Sequence, residues 1–380
     1  MTTGGNLPVI AIGGGLAGAA FALELARSGR RVLVLERSRG PRHTVCGEFL
    51  SEEARVVLDW LGLSPVTLGG TAITHLRLVK GRRRATTLLP FMATGLSRFR
   101  LDEALLGAAE RAGAQVLRGV LVTGVNFVDG VMTVRTQGKA WQASAVAIAT
   151  GKHPLRGFAR PASSMVGFKL HLEPTANVRE TLTGVVQLVF FRGGYVGSCL
   201  VENGLLSVAW VIQDQLVRRV GPDWQRQSAY LRSQSSVFAD LIAEARPLFM
   251  KPLATAAIPY GFLRAEPIAP NIFPIGDQLA VVPSFTGDGM AIALYSGLSA
   301  ARALSIGQSA IAWQRELIAR LRPQFRLATG IGRLLETPAT CGITIAAGKL
   351  LPPLVRGVVS ATRLRGFDHI PATLPGAAPK

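Results

Sequence analysis

The residues whose types and spacing suit ligand chemistry fall in a few short stretches. The first is Gly13-Gly14-Gly15-Leu16-Ala17-Gly18, a G-x-G-x-x-G run. It follows the β-branched, apolar Pro8-Val9-Ile10-Ala11-Ile12 and opens an apolar-rich segment over 19–28 that reads as a helix ended by Gly29. Arg31 to Leu35 then reads as a second strand ending in Glu36 and followed by Arg37. In such a strand–turn–helix–strand unit each glycine has a separate task. Gly13 permits the tight turn, Gly15 lets the backbone approach a pyrophosphate, and Gly18 lets helix and strand pack closely. Leu16 and Ala17 begin the helix, whose free N–H groups and positive dipole end suit phosphates. Glu36, 18 residues after Gly18, is placed to accept hydrogen bonds from a ribose diol. NAD and FAD both suit this unit.

A second stretch bears on that choice. Asn271 to Asp277 reads as a short strand ending in Gly276-Asp277. Pro283-Ser284-Phe285-Thr286-Gly287-Asp288-Gly289-Met290 then leads into a helical run over 291–304. An acid at a strand end can bond a sugar-like hydroxyl, and a glycine-opened helix start can hold partial negative charge such as that of a reduced flavin ring.

With both stretches in place, the sequence resembles the FAD-dependent monooxygenase superfamily of the p-hydroxybenzoate-hydroxylase fold, and geranylgeranyl-reductase-like flavoproteins within it. The resemblance covers most of residues 7–305 and implies FAD as cofactor. It places Asp277 on the ribityl chain, with Pro283 and Gly287-Asp288-Gly289-Met290 along the isoalloxazine ring. Leu96-Ser97-Arg98-Phe99-Arg100-Leu101-Asp102 looks like the family segment whose arginine, here Arg98, reaches the cofactor. Val45-Cys46-Gly47-Glu48-Phe49-Leu50-Ser51 resembles the Cys-Gly-Glu stretch set beside flavin and substrate. Cys46 and Pro283 are the residues it points to for catalysis. Chemically, a lone cysteine also suits a small buried hydrophobe, and Asp102 could serve as a helix cap beside a solvated Arg98.

The sequence also departs from the superfamily. Where many of its monooxygenases carry Asp-Gly for FAD and NAD(P)H, Lys152-His153 stands within Gly151 to Gly157. Lys152 and Arg156 still offer positive charge for phosphates. No Trp-x-Trp-x-Ile-Pro segment of flavin halogenases is present.

The intervening chain must position these stretches. Val166-Phe168-Leu170-Leu172, Val185-Gln187-Val189-Phe191 and Leu206-Val208-Trp210-Ile212 alternate with period two, which argues antiparallel strands with one buried face. The expected fold class is α/β: a Rossmann-like FAD-binding domain, a second antiparallel-sheet substrate domain and a C-terminal helical region. The FAD-binding domain is expected to be discontinuous, over 1–80, 98–160 and 262–312. The substrate domain takes 81–97 and 161–261, and 313–380 forms the basic helical region. Phe, Leu, Val and Trp on the inward faces suit a small apolar or aromatic ligand.

With 380 residues, 48% hydrophobic and 17% charged, the chain has side chains enough for a sizeable core and is not disordered. Lys and Arg number 42 against 23 Asp and Glu, a formal +19, which draws the chain toward polyanions. No nucleic-acid-binding motif is visible, so no specific nucleic acid is expected. Residues 313–380 alone carry ten Lys/Arg against three acids, a local +7, with Leu317, Ile318, Leu321, Phe325 and Leu327 between the arginines. Such a segment suits an anionic membrane surface or helices packed on the FAD-binding domain. Three cysteines make no disulfide framework, which fits a reducing, cytoplasmic compartment, and the basic segment is what allows for peripheral membrane contact. The charge-free run Leu7–Leu23 is short for a membrane span and is broken by glycines. Five dispersed histidines without zinc spacing lead to no expected metal, and the lack of a G-x-S-x-G elbow argues against a hydrolase.

The expected activity is that of an FAD-dependent oxidoreductase drawing electrons from NAD(P)H. The resemblance favours a monooxygenase hydroxylating an apolar aromatic or phenolic, polyketide-type substrate through a flavin C4a-hydroperoxide. Its alternative is a reductase of isoprenoid or other apolar C=C bonds, and a third reading is an electron-transfer flavoprotein feeding quinones.

Overall fold

A computed structural model describes residues 7–128, 131–336 and 352–364. Its organising element is a five-stranded parallel sheet in the order β18 (Ile272–Pro274), β10 (Ala145–Ile148), β1 (Val9–Ile12), β2 (Val32–Glu36) and β6 (Gln115–Arg118). Helices α1 (Leu16–Arg27), α3 (Arg98–Arg111) and α8 (Gly289–Ser305) cover it. These strands are buried along their length, so they read as continuous apolar runs such as Val32-Leu33-Val34-Leu35 rather than as alternating ones. The strand order brings the ends of β1 and β18, far apart in sequence, to the same rim of one sheet. A small antiparallel sheet of β7 (Val122–Val128), β8 (Val131–Thr136) and β9 (Ala140–Ala143) belongs to the same domain.

The second sheet has nine strands. Its main path is β15 (Arg246–Pro247), β11 (Met165–Glu173), β14 (Leu206–Gln213), β13 (Gly194–Leu200), β12 (Gly184–Phe191), β4 (Thr71–Lys80), β5 (Arg83–Gly95) and β3 (Phe49–Leu50). The remaining strand, β16 (Leu253–Thr255), pairs with β11. This sheet takes in Thr71–Lys80, which the sequence reading assigns to the FAD-binding domain. β4 pairs with both β12 and β5, so the sheet starts about ten residues before position 81. The β4–β12 pair is parallel in an otherwise antiparallel sheet. Parallel neighbours need a long crossover, and here that crossover runs through the FAD-binding domain.

Both faces of this sheet are covered. Phe168, Leu170, Leu172, Val208, Trp210 and Ile212 pack under α5 (Asp214–Val220), α6 (Trp224–Gln234) and α7 (Ser236–Ile242). The opposite face roofs the FAD-binding domain. α2 (Glu52–Trp60) and α4 (Ala176–Leu182) complete the two domains, and β17 (Phe262–Leu263) pairs with β19 (Ala280–Val281) where the chain returns to the parallel sheet.

The basic C-terminal segment forms α9 (Ala310–Glu336) and α10 (Pro352–Ala361). Leu317, Ile318, Leu321 and Phe325 of α9 are buried in the FAD-domain core. The apolar face that could have met lipid is therefore occupied by protein, whereas Leu327 is partly exposed. Among the described residues no helix is long and apolar enough to cross a membrane. Lys349, Arg365 and Lys380 lie outside the described residues.

Candidate active site

One large cavity, about 970 Å³, runs from the glycine turn to the roof sheet. Gly13, Gly15, Leu16, Ala17, Glu36, Arg37, Cys46, Arg98, Gly276, Asp277, Gly287, Gly289 and Met290 all line it, so residues from both ends of the chain share one space. Two expected site residues do not line it. Gly18 packs behind, where an added Cβ would sit 1.9 Å from the Gly13 carbonyl oxygen. Pro283 is a turn former whose carbonyl accepts the Thr286 N–H and hydroxyl, and its neighbours Val282 and Ser284 line the cavity instead.

The glycine turn fits a dinucleotide. Gly13 has φ +107°, a conformation that L side chains avoid. At Gly15 a Cβ would meet only the Arg98 guanidinium at 3.4 Å and the Asp102 carboxylate at 3.9 Å, so the space above it belongs to the cavity. Gly15 caps α1 with no side-chain bond and no acid in the first turn, leaving the helix start open to an anion. Glu36 accepts the Gly14 N–H at 2.7 Å and the Ser38 N–H at 2.8 Å. Burial alone would raise its carboxyl, but these backbone bonds and Arg42 bring it below the ordinary value.

Arg98 is not the solvated residue of the alternative reading. It forms a two-pronged pair with Asp102, Nε–Oδ1 2.5 Å and Nη2–Oδ2 2.7 Å, at the cavity wall. The helix cap is Ser97, which accepts the Arg100 N–H at 3.2 Å. Desolvation opposes the guanidinium's charge, and Asp102 more than restores it, so Arg98 stays a cation.

The Lys152-His153 departure also finds a structural account. Lys152 Nζ lies 3.4 Å from Asp277 Oδ2, and that carboxylate raises its pKa. Arg160 donates to the carbonyls of Asp277 at 2.8 Å and Lys152 at 2.6 Å. The Gln278 amide reaches Thr150 Oγ1, Gly151 O and His153 O at 2.7 to 3.0 Å and ties this loop to the Gly276-Asp277 segment. His153 Nε2 lies 2.5 Å from Arg37 Nη2. Burial and the surrounding Arg37, Arg42, Lys152 and Arg160 push it down to about 4, so it accepts from Arg37 as a neutral ring.

A buried polar cluster forms the far wall. Glu48 takes φ +57°, strained for a residue with a side chain, and its carboxylate joins α3 to β11. Oε1 accepts the Arg98 backbone N–H at 2.9 Å and pairs with Lys169, and Oε2 lies 2.7 Å from His171 Nε2. Burial would raise this carboxyl, but the Lys169 charge and the His171 bond bring it down to about 2. His43 stacks on Phe99 and meets His171 edge-on, with centroids 5.0 Å apart. Burial, then His171 and Lys169, lower it to about 4. The ligating atoms of His43, Glu48 and His171 lie within 4.8 Å of one another, although the sequence shows no metal spacing. The chain's own cation, Lys169, already sits on that carboxylate. Cys46 lines the cavity beside this cluster, its Sγ accepting the Glu48 N–H at 3.4 Å.

At the turn that leads into α8, Arg363 Nη1 lies 2.9 Å from Asp288 Oδ1, and Nη2 donates to the Thr286 carbonyl. Burial pushes the Asp288 carboxyl up to about 7, with Arg363 working against it.

Residues 6–146 match the family described as FAD binding domain. The chain is 27% identical over 375 residues to a menaquinone reductase of Mycolicibacterium smegmatis, covering 88% of this chain and 86% of that one. A flavoprotein/dehydrogenase structure from Cytophaga hutchinsonii superposes with TM-score 0.76 at 18% identity, covering 94% and 92% of the two chains. The halogenase PltM in complex with phloroglucinol and FAD superposes with TM-score 0.69 at 16% identity, over 87% and 76%. The chain is an FAD-dependent oxidoreductase with the fold of the FAD-dependent monooxygenase superfamily. Bound FAD supplies redox chemistry. Gly15, the start of α1, Glu36, Arg98 and Asp277 are the residues that fit it.

Proposed function

We propose that the chain is an FAD-dependent reductase of an amphiphile with an oxygen-bearing ring and a long apolar tail, of the prenylated-quinone class. The observation that carries this reading is the lining of the cavity. It runs from the FAD cradle across the roof sheet to apolar residues of α10. Leu76, Leu78, Leu89 and Phe91 wall it on the sheet, and Val355 and Val359 wall it on α10. Leu354 and Val358 line it too while remaining 55% and 40% exposed, and we place its opening there. A compact phenol needs no such exit, whereas a tail too long for the interior does. The likeness to a menaquinone reductase across most of both chains supports the same reading. Apolar burial along that channel would supply most of the binding free energy, roughly 25 cal/mol per Å². The mouth would also let the protein work at a lipid surface without spanning it, with NAD(P)H as electron donor.

Product analysis tests the proposal. The reduced holoprotein is incubated without oxygen with a short-tailed menaquinone in micelles, then exposed to air. A product carrying two added hydrogens that air does not remove marks tail reduction. A quinol that air reverts marks ring reduction, and either supports the reading. Oxygen-18 incorporated from labelled O2, with no reduced product, marks the oxygenation expected from the superfamily and overturns it.

A further inference from the structure

Helix α10 carries a wider apolar stripe than the fold covers. It lies against β5, where Val355 and Val359 pack on the roof-sheet cluster that holds Leu76, Leu78 and Leu89. The residues that follow the helix, Thr362, Arg363 and Leu364, are buried. Arg363 pairs there with Asp288, and its carbonyl accepts from the Gln324 amide of α9. The adjoining edge of the helix is bare. Leu354 and Val358 stand one turn apart on it, both exposed although both also line the cavity. Arg356 and Gly357 between them are exposed as well.

The charge around that edge has one sign. From residue 337 to residue 367 the sequence holds no Asp or Glu, and its charged residues are Lys349, Arg356, Arg363 and Arg365. Arg363 is taken up by Asp288, whereas Arg356 faces solvent. α9 adds the exposed Arg322, Arg326 and Arg333 in the stretch that carries Gln324 and the cavity-lining Ile331. Apolar side chains among cations, with no acid between, suit a bilayer surface with anionic head groups. The side chains enter the acyl boundary and the cations meet phosphates. A second copy of a chain with a formal +19 would instead be repelled from the same face.

Resting on the reading above, we propose that the Leu354–Val358 edge of α10 is a docking surface for an anionic lipid bilayer, and that docking sets the opening of the cavity against the acyl region. Leu354 and Val358 belong both to this surface and to the cavity lining. A tailed substrate would then pass between bilayer and protein without exposing its tail to water, which is the costly step for an apolar chain. Arg363 fixes the end of the helix to the turn that leads into α8, so the docked helix is held on the body of the protein.

Flotation of the holoprotein with lipid vesicles is the test. Wild type should float with phosphatidylcholine vesicles containing about one third phosphatidylglycerol and not with phosphatidylcholine alone. R356A should weaken that binding about fivefold, the worth of one cation near such a surface. L354D/V358D should weaken it tenfold or more, because it removes two inserted apolar side chains and adds two charges of the lipid's own sign. Equal binding to both kinds of vesicle, or to neither, overturns the proposal. So does a dimer in solution that L354D/V358D splits, since a second copy would then cover the face. Should the variants fail to hold FAD, hydrogen exchange of wild type decides. On the anionic vesicles, peptides over 352–364 should exchange more slowly. Peptides around Met250, which is 94% exposed at the opposite edge of the roof sheet, should not change. Slowing there and not over 352–364 overturns the surface. Neither readout involves turnover. A protein that docks this way yet leaves menaquinone unreduced would sink the proposed reaction and keep the surface, and one that reduces it in micelles but ignores vesicles would do the reverse.

Discussion

Glu48 and Lys169 form an ion pair in which neither side chain has any solvent exposure, and it joins the FAD-binding domain to the roof sheet. Pairs of this kind are costly to break, because the survivor is a charge without water or partner. E48Q should therefore destabilise the folded protein by about 3–5 kcal/mol. E48Q/K169M, which leaves no unpaired charge, should recover most of that loss. Denaturant midpoints of the FAD-loaded variants check both, and equal loss in the two would show that the charge is not what matters.

The same cluster sets an acid limit. The folded-state values of both His43 and Glu48 lie below the ordinary ones, so each favours folding on the alkaline side and withdraws that support as pH falls. The His43 share should fade between about pH 6.5 and 4, and the Glu48 share between about 4.5 and 2. Thermal midpoints across pH 3 to 8 should fall in two stages; His153, held down to about 4 as well, shares the upper one, so H43N should shrink that stage and H43N/H153N should remove it.

Asp288 runs the opposite way. Its folded-state carboxyl, at about 7, is above the ordinary 3.8, so the folded state holds this proton more tightly and ionisation opposes folding as pH rises. Arg363 offsets that cost. R363M loses the bond to the Thr286 carbonyl at any pH, but should cost less at pH 6, where Asp288 is largely protonated, and roughly a further 1–2 kcal/mol at pH 9. Unfolding of wild type and variant at the two pH values measures the difference; an equal loss at both would exclude Asp288 as the cause.

Two glycines of one motif should fail differently. G18A drives a Cβ to 1.9 Å from the Gly13 carbonyl and should impair folding. G15A meets nothing closer than the Arg98 guanidinium at 3.4 Å, so it should keep the wild-type melting temperature in the apo form. It should nevertheless lose FAD affinity by tenfold or more, because its methyl occupies the space the pyrophosphate needs. Titration of apoprotein with FAD reads the second effect and apoprotein calorimetry the first.

The FAD cradle was legible because its chemistry is local: strand, glycines, helix and Glu36 follow one another within one short stretch. The return of Gly276-Asp277 to the same rim was legible for a similar reason, as a strand ending in an acid. The cluster around Lys169 and His171 was not. Phe168, Leu170 and Leu172 mark one face of β11 as buried, and period-two patterning then assigns Lys169 and His171 to solvent. They are buried instead, at 0% and 2% exposure, because a second domain covers that face. Only the low cost of a charge paired with Glu48, far away in sequence, makes that placement tolerable. The start of the roof sheet at Thr71 was hidden too, since its partner β12 lies across a long crossover.

The reductase reading is tested most directly by anaerobic stopped-flow mixing of the reduced holoprotein with a prenylated menaquinone. The account predicts rapid, saturable return of the oxidised flavin absorbance, slower when the tail is removed. Reoxidation that needs molecular oxygen, and that the quinone neither produces nor speeds, would contradict it.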